Sequence, residues 1–201
     1  MISILDYGVG NPRAVLSMYK RIGIPANIVS KAIDLEFTKK IILPGVGAFD
    51  YAMQKFNESG LRESVEKLVI HENIPVLGIC VGMQMLCKSS SEGEEEGLGW
   101  INSRIEKFSF VENYPVPHMG WNKVTILRET PLTKKLKSDA RFYFAHSYFM
   151  PVQDSKLVIM TTDYSNQFAS AINQKNVFGV QFHPEKSHRF GLELLKNFGE
   201  I

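Results

Sequence analysis

The chain has 201 residues, of which 44% are hydrophobic and 22% charged, and a formal net charge of +2. These values suit one globular α/β domain and give no electrostatic footing for nucleic acid or an anionic membrane surface as a partner. No apolar run reaches the roughly 18 residues of a membrane-spanning helix, and the Met1–Asp6 opening lacks the charged start and cleavage site of a secretory signal, so the expected compartment is cytoplasmic.

Ile2 to Leu5 reads as a short buried strand that runs into the glycine-rich loop Asp6-Tyr7-Gly8-Val9-Gly10-Asn11. Ala14, Val15, Met18, Tyr19 and Ile22 then recur at helical spacing, with Asn11 placed to cap the helix and Pro12 at its first position. The Gly8-Val9-Gly10 loop lacks the third glycine of a dinucleotide fingerprint, so no nucleotide cofactor is expected. Pro25 to Val29 and Ile41 to Leu43 predict two further strands, the second leading into Pro44-Gly45-Val46-Gly47-Ala48-Phe49. Its glycines allow the loop to present backbone N–H groups into a cleft. Phe49, Ala52, Met53 and Phe56 mark one helical stripe and Leu61, Val65, Leu68 and Val69 another, both core-facing. Strands apolar on both faces, alternating with helices, predict a mostly parallel central sheet flanked by helices.

Ile74 to Ile79 predicts the next buried strand, and Cys80 follows it between Gly78 and Gly82. A strand that turns sharply into a helix needs small residues beside the turn, so this pattern reads as a nucleophile elbow with sulfur in place of a serine hydroxyl. Unpaired N–H groups at the helix start would favour a thiolate there. The plainer alternative is a cysteine buried on a core strand. If Cys87 shares a helix with Cys80, the two lie roughly 10 Å apart along its axis, too far for a disulfide, so Cys87 is expected to be a core or flank residue. Ser89 to Gly97, polar and acidic, reads as a solvated, mobile loop. Short strands near Arg104–Phe108, Lys123–Ile126, Arg141–Ala145 and Leu157–Thr161 are separated by turns and predict an antiparallel extension of the sheet. Among them, Pro117-His118-Met119-Gly120-Trp121-Asn122 gathers polar and aromatic groups that ordinary packing would also explain.

Near the end, Val177 to Phe182 predicts a strand that delivers His183 at its tip. With Pro184 holding the chain extended, His183 and Glu185 would point the same way, a carboxylate orienting an imidazole that serves a distant nucleophile as base. Phe190, Leu194, Leu195 and Phe198 mark a final helix. No Cys-x-x-Cys or His-x-x-x-His spacing appears, so no metal is expected.

Gly78-Ile79-Cys80-Val81-Gly82-Met83-Gln84 together with Phe182-His183-Pro184-Glu185 resembles the class I glutamine amidotransferases. Asp6-Tyr7-Gly8, Pro44-Gly45-Val46-Gly47, Pro117 to Asn122 and Tyr143-Phe144-Ala145-His146-Ser147-Tyr148 are similar to the branch that feeds ammonia into histidine biosynthesis, in order from residue 2 to about 198. The resemblance implies one amidotransferase domain over 1–201, without cofactor, acting on L-glutamine. Cys80 would attack the side-chain amide, His183 would carry the proton and Glu185 would orient His183. The Val81 N–H and the Val46–Gly47 loop would form the oxyanion hole, and Gln84, Ser147 and Tyr148 would bind the amino-acid end. Asn11, Pro117, Trp121 and Lys186 would face a (β/α)8-barrel synthase subunit that receives the ammonia and activates the glutaminase. Pro12, where leucine is usual, and Trp100 depart from the pattern and leave open a paralogous branch serving a surface-sugar acetamidino synthase. A regulatory subunit without activity and a stand-alone peptide hydrolase are the remaining alternatives.

Overall fold

The computed structural model describes residues 1–109, 111–154 and 156–201. In chain order the strands are β1 (Ile2–Leu5), β2 (Ala26–Val29), β3 (Lys40–Gly45), β4 (Val76–Cys80), β5 (Cys87–Ser90), β6 (Ile101–Lys107), β7 (His118–Lys123), β8 (Thr125–Ile126), β9 (Arg141–His146), β10 (Tyr148–Pro151), β11 (Val158–Tyr164), β12 (Asn166–Gln174) and β13 (Val177–Val180). The α-helices are α1 (Pro12–Ile22), α2 (Phe49–Glu58), α3 (Arg62–Glu66), α4 (Val81–Met85) and α5 (His188–Glu200).

The sheet runs β2-β1-β3-β4-β13-β12-β10-β6-β5. Its first five strands are parallel, and every residue of β1, β4 and β13 is buried, as a sheet covered on both faces requires. From β13 onward the pairings to β12, β10 and β6 are antiparallel, and the sheet closes on the parallel pair β6–β5. Strand β11 pairs with β12 and β8, while β7 and β9 form a separate antiparallel ribbon. Phe142 of the ribbon stacks on Phe182 with ring centroids 3.9 Å apart, which seats the ribbon on the end of β13. A mostly parallel α/β core with an antiparallel extension is the architecture expected from the strand patterns.

Helix α1 begins as its residues dictate: the Asn11 side chain accepts from the Ala14 N–H at 3.1 Å, and Pro12 follows where no N–H is needed. Its apolar stripe buries Val15, Met18 and Tyr19, and Gly23 closes it in the left-handed region with φ 77°. Helix α2 buries Phe49, Ala52, Met53 and Phe56, the stripe read from the sequence.

One sequence expectation is corrected. The acidic stretch Ser89 to Gly97 is folded onto α2 rather than free in solvent. Glu92 Oε2 accepts from the Phe49 N–H at 2.9 Å, and the Asp50 carboxylate accepts from the N–H groups of Glu94 and Glu95 at 2.9 and 3.0 Å. A helix start leaves N–H groups without intrahelical partners, and carboxylates satisfy that need. The elbow helix α4 is only five residues long; Cys87 lies beyond it on β5, buried in the core rather than sharing a helix with Cys80. Among the described residues, no helix is long and apolar enough to cross a membrane.

Candidate active site

The parallel strands β1, β3 and β4 end on one side of the sheet, where Gly8–Gly10 and Val46–Gly47 follow the first two and Cys80 ends the third. Open α/β sheets place their ligand clefts on that side. Cys80 sits at the turn from β4 into α4 with φ 55° and ψ −113°, backbone that an L-residue occupies only under constraint. The constraint is close packing. A Cβ on Gly82 would lie 1.9 Å from the Leu43 carbonyl oxygen, and one on Gly78 would lie 2.6 Å from the Gly82 carbonyl oxygen. β3, β4 and α4 therefore meet backbone to backbone beneath the thiol. Tyr7 braces the same corner, its hydroxyl donating to the Pro44 carbonyl at 2.6 Å. Burial, and then the charge of Cys80, push the Tyr7 phenol up, so it stays a donor.

His183 arrives from the neighbouring strand. Val180 of β13 pairs with Ile79 of β4, so the residues just past β13 run alongside the elbow. The His183 N–H donates to the Tyr143 carbonyl at 2.9 Å, and the Ser187 hydroxyl donates to the His183 carbonyl at 2.6 Å while accepting from the Tyr143 N–H at 3.0 Å. Sequence reasoning placed His183 and Glu185 side by side on extended chain. They are side by side, but Pro184–Lys186 is a short 3-10 turn. Proline's fixed φ suits the first position of a helical turn equally well, and this turn folds the carboxylate back onto the ring. Glu185 Oε1 lies 2.8 Å from Nδ1 of His183, and both side chains are nearly fully buried. Burial pulls the His183 pKa down, but hydrogen bonding to Cys80 and to Glu185, reinforced by their charges, outweighs it and raises the imidazole to about 10.

Cys80 and His183 open into one cavity of about 330 Å³, also lined by Val46, Gly47, Val81, Gln84, Ser147 and Tyr148. Glu185 stands behind His183, outside the lining. Apart from Glu185, which reaches the site only through His183, the residues that the sequence placed in the catalytic centre, the oxyanion loop and the substrate subsite line this cavity. Val46 and Gly47 are exposed at its mouth, and Gly47 has φ 81°. Of the four residues expected to face a partner, Pro117 and Lys186 are exposed on the cavity rim. Trp121 and Asn11 do not line it. Trp121 is 44% exposed and stacks on His188 at 5.3 Å, and Asn11 is exposed at the start of α1.

A buried polar chain underlies the cavity that sequence reasoning did not resolve. Gln84 Nε2 donates to the Tyr148 carbonyl and to Gln181 Oε1, both at 3.1 Å, and Gln181 Nε2 faces the Cys80 sulfur at 3.8 Å. On the other side, His146 Nδ1 lies 2.8 Å from the Tyr148 carbonyl and its Nε2 3.0 Å from His118 Nδ1. A carbonyl can only accept, so His146 carries its proton on Nδ1 and accepts at Nε2 from His118 Nδ1–H. His118 Nε2 is then free to accept from Asn122 Nδ2 at 3.4 Å. This pattern needs both rings neutral, and desolvation lowers the His118 pKa to about 4 and the His146 pKa to about 3. The signal for Gln181 was available: it is the one polar residue in the apolar run Val177 to Phe182. Among the described residues, no group of three or more His, Cys, Asp or Glu side chains is placed to hold a metal ion.

A buried sulfur, an imidazole within its reach and a carboxylate behind the imidazole form the arrangement that nucleophilic acyl transfer uses. Comparison with known proteins agrees with this chemistry. The family model for glutamine amidotransferase class-I matches residues 3–200. The chain is 52% identical to imidazole glycerol phosphate synthase subunit HisH of Bdellovibrio bacteriovorus and 47% identical to that of Leptospira interrogans, covering 100% of both chains in each case. It is 46% identical to subunit HisH 2 of Pseudomonas aeruginosa over the same full coverage. Among solved structures, PurLQS from Thermotoga maritima superposes with a TM-score of 0.74 at 17% identity, covering 98% of this chain and 96% of that one. A structure described as a glutamine amidotransferase superposes with a TM-score of 0.72 at 23% identity, covering 97% and 98%. At those identities the structures speak to the fold, whereas the family model and the full-length relatives speak to descent: the chain belongs to the class I glutamine amidotransferase family.

Proposed function

We propose that this chain is the glutaminase subunit of an imidazole glycerol phosphate synthase, hydrolysing L-glutamine and passing the ammonia to a barrel synthase subunit for histidine biosynthesis. The observation that carries the reading is the meeting of Cys80 and His183 at one cavity, with Glu185 on the far side of the imidazole. Because Nδ1 is taken by Glu185, Nε2 is the nitrogen left to exchange a proton with the sulfur. In this reading the Cys80 thiolate attacks the carboxamide carbon of glutamine. The His183 imidazolium gives its proton to the departing ammonia, and water drawn by the same imidazole then hydrolyses the glutamyl thioester.

The negative oxygen of the tetrahedral intermediate needs N–H donors, each worth on the order of 3 kcal/mol of barrier. Val81, first residue of α4, supplies one, and the Val46–Gly47 peptide supplies the second after reorienting. Glycine at 47 makes that flip inexpensive, since both signs of φ are open to it. Gln84, Ser147 and Tyr148 hold the amino-acid end of the substrate. Asn11, Pro117, Trp121 and Lys186 meet the barrel subunit, whose docking over the cavity mouth keeps ammonia out of water and switches the loop to its active form.

Incubation with 6-diazo-5-oxo-L-norleucine, an electrophilic glutamine mimic, tests the chemistry. The expected adduct maps to Cys80 and is absent from Cys80→Ala. An adduct on Cys87 alone, or none with the barrel subunit bound, refutes a glutaminase. Assay of the complex with a histidine-pathway barrel subunit is expected to yield imidazole glycerol phosphate and a glutaminase rate well above that of the isolated chain. Amination of a different acceptor, with a different barrel, would transfer the chain to the surface-sugar branch.

A further inference from the structure

Gln181 lies one residue beyond β13, fully buried, between the nucleophile and the substrate subsite. Its surroundings fix which way each amide faces. The Tyr148 carbonyl can only accept, so the Gln84 nitrogen must face it. The second hydrogen of that nitrogen reaches Gln181, which must therefore offer its oxygen, at 3.1 Å. The Gln181 nitrogen is left pointing at the Cys80 sulfur, 3.8 Å away. Two consequences follow. Gln84, which lines the cavity, has both amide hydrogens engaged, so its oxygen is the atom left to meet a substrate. The sulfur, meanwhile, has an N–H beside it in a buried setting where a hydrogen bond to a charged group is strong.

We propose that Gln181 is a positioning residue for glutamine hydrolysis, whose one carboxamide both locks Gln84 as an acceptor for the substrate's α-ammonium and steadies the Cys80 thiolate. The proposal rests on the glutaminase reading given above and deepens it. It makes selectivity for an α-amino acid depend on a residue that does not itself line the cavity. If Gln181 lost its oxygen, the Gln84 amide would be held by the Tyr148 carbonyl alone, its second N–H would be unpaired and could tilt into the pocket, and a substrate lacking the ammonium would be at less of a disadvantage.

The test compares L-glutamine with 4-carbamoylbutanoate, the same molecule without its α-amino group, in the complex with the barrel subunit. Gln181→Met keeps the length of the side chain and removes both polar ends; Gln181→Leu replaces it if the methionine variant does not fold. The expected result is a roughly tenfold narrowing of the ratio of kcat/KM between the two substrates, carried mainly by a higher KM for L-glutamine. Alkylation of Cys80 by iodoacetamide at pH 7, read by mass spectrometry, should slow about tenfold in the same variant. Gln181→Glu, which restores an acceptor for Gln84, should keep the substrate ratio within about twofold of the parent. A purely structural Gln181 would lower both substrates' rates in proportion and leave the ratio unchanged, and that outcome overturns the proposal. So does a glutamate variant that loses discrimination as fully as the methionine one. The alkylation arm needs no turnover: a parent chain that hydrolyses no glutamine yet shows the alkylation difference would sink the glutaminase reading while keeping the Gln181–Cys80 contact. Parent-like alkylation in a folded methionine variant removes that contact whatever the turnover.

Discussion

Nδ1 of His183 lies 2.8 Å from Oε1 of Glu185, although the backbone between them turns instead of extending. A buried carboxylate at that distance fixes the ring orientation and favours its charged form. Glu185→Gln keeps the shape but lowers this bias, so kcat should fall by about 100-fold or more with a smaller change in KM. Cys80 first, and then this carboxylate, hold the proton on His183 and so set a stability window. The unfolded chain releases the His183 proton near the ordinary imidazole value of 6.5, whereas the folded chain holds it until about pH 10. The associated stability is complete below pH 6.5 and is lost as the pH climbs towards 10. Urea midpoints of the parent should decline across that range, and Glu185→Gln should flatten the decline. A variant with the parent's slope would show that Cys80 alone, without the carboxylate, holds the proton.

The elbow makes a separate prediction. Any Cβ at position 82 meets the Leu43 carbonyl oxygen at 1.9 Å, and that oxygen belongs to the backbone of β3. Relief requires α4 to move off the sheet, and α4 cannot move without dragging Cys80. Gly82→Ala should therefore cost about 3 kcal/mol or more, from overpacking, and should lower glutaminase activity even at temperatures where the variant is folded. Chemical denaturation and a 6-diazo-5-oxo-L-norleucine labelling rate, measured on the folded fraction, check the two halves of that statement.

Much of this site could be read from the chain because its determinants are local. Gly78, Cys80 and Gly82 within one turn of chain announce the elbow, and Asn11-Pro12 announces a helix start. The parallel half of the sheet was legible for the same reason: Ile2–Leu5, Ile41–Leu43 and Ile74–Ile79 are apolar on both faces. The antiparallel half was less so. β10 and β12 were missed because Tyr148–Pro151 is four residues long and Asn166–Gln174 places polar Ser170 inside a buried run, where no alternation marks a strand. β7 was read only as a gathering of polar and aromatic groups because its pairing with β9 is not local. The acidic stretch at Ser89–Gly97 misled for a different reason. Its charges answer a need forty residues earlier, at the start of α2, which local pattern does not register. The network from Asn122 to Cys80 is likewise assembled from β7, β9, β10, the residue after β13 and the elbow, and only the fold brings its members together.

His118 and His146 set the opposite limit from His183. Both rings are buried neutral, with pKa values lowered to about 4 and about 3 by desolvation, while the unfolded chain binds those protons near 6.5. Between pH 6.5 and 4 the unfolded state therefore takes up two protons that the folded state refuses, and stability falls as the pH drops. The loss by pH 4.5 should be on the order of 4 kcal/mol. His146→Asn, which can keep a donor towards the Tyr148 carbonyl, removes one of the two titrating groups and should roughly halve the acid loss. Unfolding free energies at pH 4.5 and 6.5 decide the matter; an unchanged difference in the variant would place the acid sensitivity elsewhere.

The acidic loop, which reaches the cavity through Glu92, offers a prediction read from proteolysis and not from turnover. Asp50 accepts the N–H groups of Glu94 and Glu95, and Gly93 packs so closely on its carboxylate that a Cβ there would come within 2.1 Å. Asp50 is thus the clasp between α2 and the stretch that follows β5. Asp50→Ala removes both acceptors and opens space beside Gly93. The loop should detach locally, at a cost of about 1–2 kcal/mol, since the freed N–H groups can turn to water. Glu94 and Glu96 are exposed already, but their backbone is held; detachment frees the run Glu94 to Glu96 to enter a glutamate-specific protease in extended form. Limited digestion at neutral pH should cut the variant there many times faster than the parent, while Gln54→Ala, which loses only one exposed contact to Glu95, should digest like the parent. Equal cleavage of parent and Asp50→Ala would mean that the stretch is already open in solution and that its contacts with α2 contribute little to holding it.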